Sequence, residues 1–316
     1  MNTEGTTATT WSRVYGVVRL VLVVAIVAYL CWQVYSGRSA LTSLRPQWDA
    51  LSLAGAFLSA IVAYQCLFVG WVMLLRRTGH YSTGQVKNYL RIWWVSYLYR
   101  YVPGKVLLAV ERARMGSAVG IPPAAGAALT VVETLLAILA GGAVSLLAVT
   151  YYTEADASVF IGAASLAIVA VFVFPAGFRV LCGLRFVRTR YPELASVALS
   201  SGDILVSVLP YILHYLLLGL SFFLLSRNLQ LFSWDVLPGL CGIYALSHVV
   251  SLIALFAPGG LGVREGALAV QLGRLLPTGI AEALAIGIRI WFTLIELLCY
   301  FFVLLISPSR PDRFKK

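Results

Sequence analysis

Apolar residues fall along this chain in long blocks separated by short polar stretches. A helix needs roughly 20 apolar residues to cross a bilayer. Six blocks qualify: Val14–Tyr35, Leu51–Leu75, the stretch from Pro122-Pro123 to Thr150, Ser158–Phe178, Ile204–Leu225 and Gly279–Ile306. Two further blocks are apolar but broken. Val86–Ser117 is interrupted at Val102-Pro103-Gly104-Lys105, and Val236–Gly273 at Ala257-Pro258-Gly259-Gly260. A proline inside a helix removes a backbone donor and frees a carbonyl. In hydrocarbon the freed groups must be met by protein or by a water-filled cavity. Each broken block is therefore a kinked span or a re-entrant hairpin that enters and leaves on one side.

The basic residues arbitrate, because Lys and Arg concentrate on the cytoplasmic side. With a cytoplasmic N-terminus and two hairpins, fifteen Lys and Arg fall inside and four outside (Arg38, Arg45, Arg227 and Arg274). Making only the second block a full span moves the basic C-terminal tail, 307–316, outside and weakens the bias. The sequence thus predicts an all-α polytopic membrane protein. It has six full transmembrane helices and two re-entrant helical hairpins, with both termini cytoplasmic. The 316 residues form one integral membrane domain.

Composition excludes the alternatives. With 60% apolar and 12% charged residues, against about 25% charged in soluble domains, no soluble fold could cover its apolar surface. Mean hydropathy is +0.88. The net charge of +11 is explained by topology and anionic lipid rather than nucleic acid. The stretch Phe178–Leu199, with Arg179, Arg185, Arg188 and Arg190, reads as an amphipathic cytoplasmic segment on that lipid. The five cysteines stand singly, with no CxxC pair and no Cys/His cluster. Neither a metal site nor another cofactor is expected. The first apolar run lacks a small-residue cleavage site and reads as a retained signal anchor. No Walker loop, HExxH, GxSxG or paired acidic motif appears, so an enzyme is not expected.

The order of blocks repeats. Span, span, hairpin, span occupies about 14–150 with the hairpin at 86–117. The same order occupies about 158–306 with the hairpin at 236–273. The first hairpin enters from the cytoplasm and the second from outside, so the halves have inverted topology. Pro103-Gly104 and Pro258-Gly259 lie 155 residues apart, as do Ser96 and Ser251, and Pro122 and Pro277. Inverted repeats with broken helices are a transporter signature, and the binding site lies where the breaks meet.

Two segments carry a family resemblance. Tyr101-Val102-Pro103-Gly104-Lys105 with Glu111-Arg112 is one. Phe256-Ala257-Pro258-Gly259-Gly260-Leu261-Gly262-Val263-Arg264-Glu265-Gly266 is the other. Together they resemble the signature segments of the lysylphosphatidylglycerol synthase transmembrane family, also called flippase-like domain proteins. The resemblance covers nearly the whole chain. It implies a lipid translocase of the inner (plasma) membrane, moving an anionic or aminoacylated phospholipid or a polyprenyl-phosphate-linked lipid. The larger members carry a soluble aminoacyltransferase domain that this sequence lacks. Two rival readings are the membrane subunit of a lipid-modifying transferase whose catalytic half is a separate chain, and a non-transporting lipid-binding assembly factor among envelope-synthesis enzymes.

Candidate site residues follow from the breaks. Arg264, at the start of a half-helix, combines its charge with free backbone N–H groups to hold a phosphate. Glu265 orients Arg264 or meets a cationic head group; the competing reading is a structural Arg–Glu clamp. Lys105 has the equivalent position in the first hairpin and either meets a head group or snorkels to the surface. Arg112 approaches a head group from inside. Gly104, Gly259 and Gly260 allow tight turns and close backbone approach. Glu133, Arg289 and Glu296 are charges within full spans, where ionisable groups are costly. They serve proton coupling or form an Arg289–carboxylate pair between the repeats. His214 and His248 read as hydrogen-bonding partners of neighbouring helices. Trp93, Trp94, Tyr97, Tyr99 and Tyr101 read as interfacial anchors, with head-group contact as the alternative.

Overall fold

The computed structural model describes residues 46–101, 106–152, 200–254, 257–277 and 279–307, and six single positions outside them. Among the described residues the regular structure is entirely helical. Eight α-helices follow one another: α1 (Ala50–Arg77), α2 (Val86–Leu98), α3 (Val106–Ser117), α4 (Pro123–Tyr152), α5 (Ser201–Arg227), α6 (Leu237–Ile253), α7 (Val263–Leu272) and α8 (Ile280–Ile306). Short 3-10 turns stand at Thr83–Gln85, Tyr99–Tyr101, Trp234–Val236 and Pro258–Gly260. Among the described residues five helices are long and apolar enough to cross a membrane: Ala50–Arg77, Pro123–Ala148, Gly202–Arg227, Trp234–Ile253 and Ile280–Ile306. The protein is a multi-pass membrane protein. The expected spans at Val14–Tyr35 and Ser158–Phe178, the basic segment at 178–199 and the tail beyond 307 lie outside the described residues.

Trp234–Ile253 was expected as the first limb of a hairpin, yet by length and composition it suffices to cross. The expected boundaries of the other four described spans agree with the structure closely. Local chemistry explains why. Asp49 caps α1, accepting from the backbone N–H of Leu51 at 3.1 Å and of Ser52 at 3.0 Å. Ser200 and Asp203 form a reciprocal capping box at the start of α5. Glu282 accepts from the Gly279 N–H at 2.6 Å and so closes the start of α8.

The element order is the same twice. A long helix, a 3-10 turn, a helix, a second 3-10 turn, a short helix and a long helix run through α1–α4 and again through α5–α8. The equivalent long helices α1 and α5 pack antiparallel. At one end the N–H groups of Gln47 and Asp49 donate to the Asn228 carbonyl and side-chain oxygen at 2.8 and 2.7 Å. At the other end Arg77 pairs with Asp203 at 2.8 Å. Helices α4 and α6 are antiparallel too, with Gly141 beside Val249 and Gly242 against the Ala148 backbone. Small residues let membrane helices approach this closely, where van der Waals packing replaces the hydrophobic drive of water.

Helix α8 ends near the start of α2. Arg91 donates to the Ser307 carbonyl, and the Ser307 hydroxyl donates to the Lys87 carbonyl at 3.3 Å. One end of the bundle therefore gathers Arg76, Arg77, Lys87 and Arg91. The core between the helices is aromatic as well as aliphatic. Trp71, Trp93, Trp94, Tyr64, Tyr211 and Tyr215 are among its fully buried side chains. This corrects the expectation of interfacial anchors for Trp93, Trp94 and Tyr97: all three are buried, the Trp93 indole N–H donating to Glu133, the Tyr97 hydroxyl accepting from Arg100 and the Trp94 ring packing edge-on to both.

Candidate functional site

The Tyr99–Tyr101 turn, which precedes the first break in sequence, touches the Pro258–Gly260 turn, which holds the second. A Cβ placed on Gly259 would lie 2.5 Å from the Tyr101 ring, and Gly259 has φ +57°. Only a glycine permits that approach in that conformation. Gly260, at φ +71°, is equally crowded by the Ser251 side chain.

Around this meeting point stand three buried ion pairs. Glu296 on α8 is 1% exposed. It pairs with Arg100 and accepts from the Tyr64 and Tyr101 hydroxyls, each at 2.6 Å. The Arg100 guanidinium also lies over the Tyr97 ring, 4.1 Å from its centroid. Glu133 on α4 pairs with Arg112 on α3 and accepts from the Trp93 indole N–H at 2.9 Å. Arg112 Nε donates to the Ser96 hydroxyl at 2.9 Å. Arg289 on α8 meets Glu265 on α7 at 3.1 Å, a charge contact rather than an aligned hydrogen bond, and donates to the Gly259 carbonyl at 2.9 Å. Burying any of these groups alone would cost several kcal/mol. Pairing with added hydrogen bonds is the physical reason they can sit there.

Two expectations change accordingly. The carboxylate that neutralises Arg289 is Glu265, from the same half, and not Glu133 from across the repeats. Glu265 is consequently Arg289's partner rather than the group that orients Arg264. Each half instead ties its short helix to its final long helix by one pair. The charges are exchanged: Arg112 on short α3 with Glu133 on α4, and Glu265 on short α7 with Arg289 on α8. Glu111 forms a different pair, at hydrogen-bonding distance from Arg114 one turn away.

Arg264 differs from the rest. It is 5% exposed and lies over the Tyr244 ring at 4.7 Å. Among the described residues it has no carboxylate partner, and its Nη2 meets no hydrogen-bond acceptor. It lines a cavity of about 400 Å³ together with Arg100, Arg112, Glu133, Gly259 and Gly260. That volume falls within the usual range of small-molecule pockets, about 300–1,000 Å³. The remaining wall is chiefly apolar, from residues such as Leu67, Leu108, Val131 and Leu252.

No family model matches the chain, and no curated protein matches it either. The cavity's chemistry must therefore be read from its own side chains. It offers cationic donors in an apolar wall, which suits an anion carried on an apolar body. Among the described residues no group of His, Cys, Asp or Glu is arranged to hold a metal ion.

Of the expected site residues, the structure brings Arg112, Glu133, Gly259, Gly260 and Arg264 to this cavity. Glu265, Arg289 and Glu296 lie behind it and hold the two turns in place. Lys105 and Gly104 lie outside the described residues. Sequence reasoning missed Arg100, Tyr64 and Ser96 as members of these networks. Arg100 carried a usable signal, being an arginine inside an apolar block just before a proline–glycine break. Tyr64 and Ser96 carried none, since their partners are supplied by other helices.

Proposed function

We propose that this protein is a lipid translocase. It moves a lipid bearing an anionic phosphate across the membrane, and it belongs with the flippase-like family that its two proline–glycine segments resemble. The full architecture we infer is six spans and two re-entrant hairpins in inverted halves, in the inner membrane with cytoplasmic termini.

Several contacts support this reading. Helix α2 begins at the basic end of the bundle, beside Ser307. Helix α4 must begin at that same end, because its far part, near Ala148, packs beside the start of α6. In this reading helices α2 and α3, which join those two points, leave and return on one side. Helices α6 and α7 do the same from the opposite side, since α6 follows the end of α5 and α8 runs back towards Ser307. The antiparallel packing of α1 on α5 is what an inverted repeat requires of equivalent helices. The middle thirds of the 27-residue α8 and the 30-residue α4 carry Arg289, Glu296 and Glu133. In this reading the charges lie at mid-depth, where transporter sites of this type lie.

The observation that carries the function is Arg264: a buried guanidinium with no carboxylate partner among the described residues, lining a cavity walled by Gly259 and Gly260 of the second break. A lone charge at that depth is costly and marks a substrate path. A lipid phosphate would neutralise it while the chains remain in the bilayer. The carboxylates Glu133 and Glu296 are each held by two or more donors, which favours structural anchoring over proton coupling.

The test is reconstitution into vesicles with fluorescent phosphatidylglycerol and a fluorescent polyprenyl phosphate. The protein should accelerate transbilayer movement of at least one. Arg264→Gln should slow that movement by about tenfold or more, the loss of one charge-assisted contact. Movement at the wild-type rate in Arg264→Gln would remove the assignment.

A further inference from the structure

A polar cavity of about 730 Å³ opens at the end of the bundle opposite Arg76, Arg77, Lys87 and Arg91, where α1 starts and α5 ends. An apolar groove of about 310 Å³ runs beside it along α8. Trp48 lines both. Neither shares a lining residue with the central cavity.

The groove lies between the end of α5, with Leu225 and Leu229 close by, and the first half of α8, with Ile280, Leu284, Trp291 and Leu294. From Ile280 to Leu294 it extends about 20 Å, at 1.5 Å per residue. That carries it from the end of α8 to the middle of this 27-residue helix. The depth is that of one leaflet, roughly half of the 40–45 Å that a bilayer spans with its head groups. The Trp291 indole N–H donates inward to the Ser221 hydroxyl at 3.3 Å, so the polar edge of this groove residue is already satisfied. Gly287 lines the groove as well, and a Cβ there would meet nothing within 4 Å. Glycine is a poor helix former, and no neighbouring side chain needs its small size. Its effect is to keep the groove open.

The polar cavity carries one cation and one anion, Arg227 and Asp49. Asn228, next to Arg227 in the chain, accepts the Asp49 N–H at 2.7 Å, which brings the two charges to one place. Asp49 accepts from the Leu51 and Ser52 N–H groups and from the Ser52 hydroxyl, three of the roughly four sites that a carboxylate offers. One acceptor site is left. Arg227 lies over the Trp234 ring at 5.0 Å. Among the described residues Gln230 alone outside glycine has a positive φ, +55°. Such backbone strain persists where the surroundings impose it and gathers at ligand clamps. Gln230 lines the cavity, and its N–H donates to the Arg227 carbonyl at 2.9 Å.

We infer that the polar cavity and the apolar groove together seat one resident phospholipid whose zwitterionic head group ends in a primary ammonium. The phosphate meets Arg227, the ammonium donates to the open site on Asp49, and one acyl chain lies in the groove over Gly287. Charge selects the occupant. An anionic head group brings no cation to Asp49, and a quaternary ammonium has no N–H to donate. Trp48 stands where the polar and apolar walls join, the level at which an amphipathic ring sits in a membrane. The inference rests on the protein being a membrane protein and not on its moving lipids.

The experiment follows the thermal midpoint of the delipidated full chain in detergent as phosphatidylethanolamine, phosphatidylglycerol or phosphatidylcholine is added, all with the same acyl chains. Phosphatidylethanolamine should raise the midpoint saturably. Its half-saturating concentration should lie about tenfold below the other two, the worth of one charge-assisted hydrogen bond. Asp49→Asn, which keeps an oxygen for the cap, should bring phosphatidylethanolamine level with phosphatidylcholine. Gly287→Leu, which fills the groove where there is space, should raise the phosphatidylethanolamine requirement about tenfold or more. Arg264→Gln should leave the phosphatidylethanolamine effect in place, which separates this seat from the central cavity. Equal half-saturation for the three lipids, or a preference that survives both Asp49→Asn and Gly287→Leu, overturns the seat. A phosphatidylethanolamine effect lost in Arg264→Gln also overturns it and assigns that lipid to the central cavity. A dimer in detergent that Gly287→Leu dissociates would make the groove an interface between two copies instead.

Discussion

Gly259 holds a left-handed backbone conformation against the face of Tyr101, and Tyr101 in turn donates to Glu296. Adding one methyl group there should strain the backbone by about 1–2 kcal/mol and push the tyrosine off its carboxylate. Gly259→Ala should lower the thermal midpoint in detergent and reduce transport. Gly287→Ala is the control: its Cβ meets nothing within 4 Å, and alanine suits a helix better than glycine by about 1 kcal/mol. Its midpoint should hold or rise. At the outer edge of α1 the exposed Asp49 makes a pH prediction. A hydrogen bond from the Ser52 hydroxyl, then backbone N–H donors from Ser52 and Leu51, hold its carboxyl below the ordinary carboxylate value of 3.8. The cap therefore stabilises fully above that value and is lost as the pH falls through the lowered one. Asp49→Asn keeps a side-chain oxygen for the cap and should flatten this part of the acid unfolding curve. A curve identical to wild type between pH 5 and pH 2, as a round range around the carboxylate value, would show that the cap contributes nothing.

Helices in this bundle are tied by charge where they are short. Short α3 and α7 bury little apolar surface of their own, and each is joined to its following long helix by one ion pair. Glu133→Gln leaves Arg112 buried with its main partner neutral, and should cost about 3–5 kcal/mol. Replacing both, as Arg112→Met with Glu133→Leu, should restore most of that stability, since a buried pair is often matched by apolar residues of similar volume. A double-mutant cycle on unfolding in detergent measures the coupling. Additive losses would mean the pair is not a unit. The sequence made the cost of these charges visible, but not their pairing. Arg289 and Glu296 are seven residues apart and share one face of α8, which suggested a common role. They meet different partners because α7 reaches one level of that face and the Tyr99–Tyr101 turn reaches the other.

For the molecule as a whole, the decisive question is on which side each broken segment leaves. In a variant with its native cysteines replaced, single cysteines at Ser82 and Gly120 should be labelled by an impermeant reagent from one face of the membrane. Those at Ser233 and Arg274 should be labelled from the opposite face. Labelling of Ser82 and Gly120 from different faces would make the first break a kink in a spanning helix. The same experiment tests the antiparallel relation of α1 and α5 through Arg76 and Gln230, which should label from opposite faces. The basic end of the bundle, with Arg76, Arg77, Lys87 and Arg91, is the face expected in the cytoplasm.

Apolar block length by itself determined that this is a multi-pass helical membrane protein, and it located α1, α4, α5 and α8 to within a few residues. This works because a bilayer sets the length of a crossing helix and water sets where it must end. The two proline–glycine breaks were legible for a similar reason: backbone chemistry is local. What only the tertiary structure decided is which charge meets which. Arg100, Tyr64 and Trp93 reach their carboxylates across separations of 40 to 232 residues. No spacing rule links such positions. Pairing at that range follows from how closely small residues let the helices pack, and the same packing leaves Arg264 beside the cavity with no carboxylate partner among the described residues.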